Sequence, residues 1–115
     1  MRRYLDGQTG HDTDWVDLTL SQGQTAIPPI VITELLSERT MQAETRALLA
    51  HIDVLPIHDG YWERAGELRA SVRAAGLKAK LADCLIAQSC IDNDAPLITY
   101  DRDFRHFESA GLRVI

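Results

Sequence analysis

Ala82-Asp83-Cys84-Leu85-Ile86-Ala87 and, a short way on, Leu97-Ile98-Thr99-Tyr100-Asp101-Arg102-Asp103-Phe104 are the two stretches that decide the fold of this chain. The first has helical composition, with one carboxylate set in an apolar run, where a charge needs a partner. The second is a short apolar strand, 97–100, followed directly by an acid. In open α/β sheets the carboxyl ends of strands are where ligands and catalytic groups collect. Asp83 and Asp101 are therefore the first candidates for chemistry.

Working outward, the helix around Asp83 spans 80–93 and ends in the turn-forming run Asp92-Asn93-Asp94-Ala95-Pro96. Upstream, Tyr61, Ala65, Leu68 and Val72 recur at helical spacing, and Gly76 closes that helix. A strand is expected at 54–57. Before it, a helix over 40–51 has Leu48, Leu49 and Ile52 as its apolar stripe. Residues 25–30 form a β-leaning run interrupted by Pro28-Pro29, which suits the boundary before a helix over 30–38 carrying Glu34. A further helix is expected at 13–22, spaced by Trp15 and Leu18 and capped by Asp12 or Thr13. Residues 112–115, after Gly111, are expected to pair at the sheet edge. Helices alternating with short strands predict an α/β sandwich with a mainly parallel sheet, in a single domain over 1–115.

The chain has 17 acidic residues, so type alone singles out none. Position does: Glu34, in the first turns of a helix leaving a strand end, joins Asp83 and Asp101 above one sheet edge. Crowded carboxylates raise one another's pKa unless a cation neutralises them, which makes magnesium or manganese the natural partner. The implied chemistry is metal-assisted phosphodiester hydrolysis. By pattern alone, Asp83 and Asp101 also fit helix caps and Glu34 a first-turn dipole partner. A phosphatase with the same acids would need a nucleophilic aspartate in a DxDx(T/V) context after the first strand, and none stands there.

At 115 residues, 45% hydrophobic and 25% charged, the composition is that of an ordinary globular domain. A net charge of −5 argues against a broad nonspecific DNA-binding surface, which needs many cationic contacts. Arg64, Arg69, Arg73, Lys78 and Lys80 still lie close in sequence, as a local phosphate-steering patch or a solvated helix face. Cys84 and Cys90 point to different faces of one helix and are expected to be buried, inert thiols. His11, His51, His58 and His106 lack ligand spacing, so no zinc site is expected. No apolar run is long enough for a membrane span and no signal-peptide core follows Met1, which predicts a cytoplasmic protein.

The two quoted stretches, with Ile32-Thr33-Glu34-Leu35-Leu36 after a strand with prolines, resemble the motifs of PIN domains, in order and spacing, over essentially the whole chain. The small bacterial members are often VapC toxins held inactive by a cognate antitoxin. The resemblance implies a three-layer sandwich and a magnesium- or manganese-dependent ribonuclease with Glu34, Asp83 and Asp101 as catalytic, metal-binding acids. Asp103 matches a second acid that assists the metal or caps the next helix, and Thr99 a hydroxyl that orients a carboxylate or water. Arg69, Arg73, Lys78 and Lys80 become the RNA-binding candidates. RNA, an antitoxin and a second copy of the chain are the implied partners.

One departure stands at the start. Family members open with a buried strand ending in an aspartate, commonly Val-Asp-Thr-Ser, and a helix whose end resembles Tyr4-Leu5-Asp6-Gly7. The chain begins inside that helix, so a strand and a first helical turn, roughly ten residues, are expected to be missing. Asp6 lies too far along the helix to replace the aspartate. A sheet short of a central strand and a weakened metal site follow as expectations, and with them a second reading: a noncatalytic relative that binds an antitoxin or is a truncated remnant.

Overall fold

The computed structural model describes residues 26–39 and 42–115. The helix expected at 13–22, the segment Tyr4-Leu5-Asp6-Gly7 and His11 lie outside them.

Strand β1 (Ala26–Ile27) runs parallel to β2 (Asp53–Val54), with Ala26 opposite Asp53 and Ile27 opposite Val54. Parallel neighbours need a crossover, here made by helices α1 (Pro29–Leu36) and α2 (Ala43–Leu49). Both strands are shorter than the expected 25–30 and 54–57, and proline is the physical reason. Pro28 and Pro29 have no N–H for a ladder; Pro28 instead sits at the N-cap and Pro29 at the first helical position. On β2, Leu55 N–H still reaches Ile27 O at 2.8 Å, and Pro56 ends the series.

Tyr61, Ala65, Leu68 and Val72, the four residues of the expected stripe, are all buried along α3 (Tyr61–Ala74). Gly76 takes φ of +80°, while Gly76 N–H bonds Arg73 O at 2.9 Å and Leu77 N–H bonds Val72 O at 3.2 Å. These bonds consume the last orphan carbonyls of the helix. Helix α4 (Leu81–Asp92) starts and stops within one residue of the expected 80–93 and buries Cys84, Ile86, Ala87, Gln88, Ser89 and Cys90. A helix buried on most of its circumference is an interior element. It packs against α3, α1 and the C-terminal 3₁₀ helix, Arg102–Ala110. Tyr61 Oη donates to Leu85 O at 2.6 Å, tying α3 to α4.

Of the expected strand 97–100, the ladder holds one parallel bridge, Leu97 to Val114, closed by Leu97 N–H to Arg113 O at 2.8 Å and Ile115 N–H to Leu97 O at 2.9 Å. Residues 112–115 thus pair as expected, through a single bridge. Phe104 and Phe107 of the 3₁₀ helix sit at 0% and 1% exposure with ring centroids 6.1 Å apart, sealing the core beneath this edge. The architecture is α/β, a short parallel sheet flanked by helices. Among the described residues, no helix is long and apolar enough to cross a membrane.

Candidate active site

Glu34 projects from α1, which leaves the carboxyl end of β1; Asp83 lies in the first turn of α4; Asp101 follows the buried segment 97–99. Charge coupling places Glu34 beside Asp83, and Asp83 beside Asp101. Helix α1 begins earlier than expected and ends at Leu36, so Glu34 stands in its last turn. The first-turn dipole explanation for Glu34 falls on that ground.

Burial, and next the charge of Asp83, push the Glu34 carboxyl up to about 7 from an ordinary 4.5. Its Oε1 is buried without a hydrogen-bond partner among the described residues. A buried carboxylate oxygen left unmatched is costly and rare, and at a functional site it marks a place for a ligand or an ion. Asp83 is also raised, by burial first and then by Asp101 and Asp103, with Lys80 opposing. It is not a cap: Lys80 occupies the N-cap of α4, with extended backbone and no side-chain capping bond.

Asp101 does cap. Its Oδ1 accepts Asp103 N–H at 2.9 Å, so the capping residue of the 3₁₀ helix is Asp101 and Asp103 is the donor. Thr99 Oγ1 accepts Asp101 N–H at 3.0 Å, so the hydroxyl orients the backbone that carries the acid. Asp103 turns its Oδ2 toward Lys78 Nζ at 3.6 Å. The four acids are coupled by charge, yet among the described residues no three of them close around one point in the manner of an all-protein metal cage. Magnesium does not require such a cage: it keeps several waters and binds through one or two carboxylates. Glu34 and Asp83, with the unmatched Oε1, fit that donor chemistry.

The basic residues separate into two sets. Arg64 is committed to structure: Nε and Nη2 donate to Asp92 at 3.0 and 2.6 Å, and Nη1 to Asp59 O at 2.8 Å. Arg69 donates Nε to Ala79 O at 2.9 Å and is partly buried. Arg73, Lys78 and Lys80 are exposed. The Arg64–Asp92 pair, joined by Gln88 Nε2 to Asp92 Oδ1 at 2.8 Å, escaped the sequence because its partners sit on different helices. Cys84 and Cys90 are buried, free thiols, as expected. His51 and His58 are exposed and His106 half-buried.

A PIN domain family model matches residues 4–109. No curated protein matches the chain.

Proposed function

The chain belongs to the PIN domain family, whose members are generally nucleases and typically use divalent metal ions, and on that footing we propose that it is a magnesium- or manganese-dependent endoribonuclease, the toxin of a type II toxin–antitoxin pair. The observation that carries this reading is Glu34: a carboxyl raised to about 7, with one buried oxygen unmatched among the described residues, beside a second raised carboxyl, Asp83. Two acids held at such cost to folding are explained by a cation and not by the core.

Glu34 and Asp83 would hold the ion, and Asp101 would complete the rim from the segment 97–100. A bound ion supplies charge stabilisation at the phosphate and an acidified water. The charge of the ion would hold Glu34 and Asp83 ionised in spite of their burial. Lys78, Lys80 and Arg73 would hold the RNA phosphates. The resemblance to VapC toxins supports a cognate antitoxin as protein partner and a second copy of the chain as another.

The test is cleavage of single-stranded RNA by the purified chain with magnesium or manganese, against a chelator control. Asp83→Asn and Asp101→Asn should each lower the rate by at least about 100-fold. Asp101→Asn is a clean change, because asparagine Oδ1 can keep the cap. Cleavage unchanged in both variants would sink the proposal. No cleavage by the folded wild type would favour the noncatalytic, antitoxin-binding reading.

A further inference from the structure

The connection between α3 and α4, residues 75–80, places lysines on either side of a buried alanine. Ala79 is 8% exposed and packs into the core, while Lys78 and Lys80 are exposed. Lys80 has extended backbone, φ −67° and ψ 145°. In extended chain, alternate side chains share a side, so burying Ala79 turns Lys78 and Lys80 outward together.

Both lysines come out at the acid rim. Lys78 Nζ is 3.6 Å from Asp103 Oδ2, and Lys80 is among the charges acting on Asp83. The two carbonyls between them are each pinned from another element. Arg69 of α3 donates Nε to Ala79 O at 2.9 Å, and His106 of the 3₁₀ helix meets Lys78 O through Nδ1 at 3.0 Å. Since a carbonyl only accepts, that nitrogen carries the proton.

We propose that Lys78-Ala79-Lys80 is a two-pronged clamp for adjacent phosphates of single-stranded RNA, with Arg69 and His106 as positioning residues that set its register. The proposal rests on the nuclease reading and alters one expectation from the sequence: Arg69 acts through the loop and is not itself a phosphate contact. The Lys78–Asp103 pair is exposed at both partners, 60% and 37%, so it is weak and readily exchanged for a phosphate. Asp103 is then a resting partner for Lys78. A carboxylate rim alone repels RNA, and two lysines at its edge supply the attraction that lets a chain of net charge −5 bind a polyanion locally.

The experiment is a salt titration of binding to a labelled single-stranded RNA oligonucleotide, read by fluorescence anisotropy in chelator so that no cleavage intervenes. Each phosphate contact contributes about −0.7 to the slope of log K against log salt for single strands. Lys78→Gln and Lys80→Gln should each flatten the slope by about 0.7, and together by about 1.4. Arg113→Gln, whose guanidinium is bonded to Asp94, should leave it unchanged. Arg69→Gln should flatten the slope in the wild type but not in the double-lysine variant, whereas a direct contact would cost about 0.7 in both backgrounds. If Arg69→Gln does not fold, His106→Ala carries the same cycle. Slopes unchanged in the lysine variants overturn the clamp and leave the nuclease reading standing; no binding by wild type overturns both.

Discussion

Helix α4 carries a carboxylate near each end, and the two are treated in opposite ways. Asp83, in the first turn, should be favoured by the helix dipole, and Asp92, in the last, disfavoured. The structure reverses this: burial and neighbouring acids raise Asp83, while the Arg64 hydrogen bonds hold Asp92 below the usual carboxylate range. At the Asp92 end the carboxylate and the capping Asn93 are answered, although Ser89 Oγ, one turn back, is buried without a partner among the described residues. Arg64 and Gln88 satisfy the carboxylate, Asn93 Nδ2 bonds Ser89 O at 2.9 Å, and His58 Nε2 meets Asn93 Oδ1 at 2.8 Å. At the other end Glu34 Oε1 has no partner among the described residues. Local partners and burial outweigh the dipole, whose effect at a terminus is about 1 kcal/mol or less. A satisfied carboxylate fastens a fold, and an unsatisfied one is held ready for something else.

Exchanging the two acids for asparagine should separate those roles most sharply in the cleavage assay. Asp83→Asn should lose at least about 100-fold in rate, while Asp92→Asn, measured per folded molecule, should stay within about twofold. Equal losses would erase the distinction. In thermal unfolding the order inverts. Asp92 is 8% exposed in its ion pair, and losing its charged hydrogen bonds should cost about 2 kcal/mol, or a fall of roughly 8–12 °C; Asp83→Asn should not destabilise.

The pH dependence sharpens the contrast further. Glu34 has a folded pKa of about 7 against 4.5 unfolded. Between those values the native state binds more protons than the unfolded one, so this group makes stability fall as pH rises, with the full penalty above about 7. In chelator at pH 8, Glu34→Gln should therefore raise stability by on the order of 1 kcal/mol, allowing for solvent screening of a half-buried group. Below pH 4.5 the gain should vanish. The Asp92 contribution runs the other way, present above the ordinary carboxylate pKa and lost as pH falls through its lowered folded value. A Glu34→Gln gain independent of pH would show that packing, and not charge, is at issue.

The last effect concerns the ion. Manganese at about ten times its dissociation constant should stabilise wild type and Asp92→Asn by about 1.4 kcal/mol, and Asp83→Asn by much less. Equal stabilisation of all three in differential scanning fluorimetry would place the ion elsewhere.

Much of this was legible in the chain because the physics involved is local. The i, i+4, i+7, i+11 stripe of α3 needs only helical geometry, and Gly76 needs only the low cost of positive φ. Asp83 and Asp101 were visible because an acid within an apolar run or after a strand breaks a local rule. Strand lengths were not legible, since pairing at 97–100 and 54–57 depends on partners and on prolines within the run. Asp103 was equally ambiguous, because a cap and a salt bridge to Lys78 have the same local sequence.

The sequence by itself determined the order of the described elements, the family motifs and which acids are candidates, all set by periodicity, turn chemistry and residue type along the chain. Only the tertiary structure decided that Asp92 is answered by Arg64, that Glu34 Oε1 has no partner among the described residues, and that Arg69 and His106 grip the lysine loop from two different elements. Those outcomes depend on which side chains meet across helices and on how much water packing removes, and neither quantity is local in the sequence.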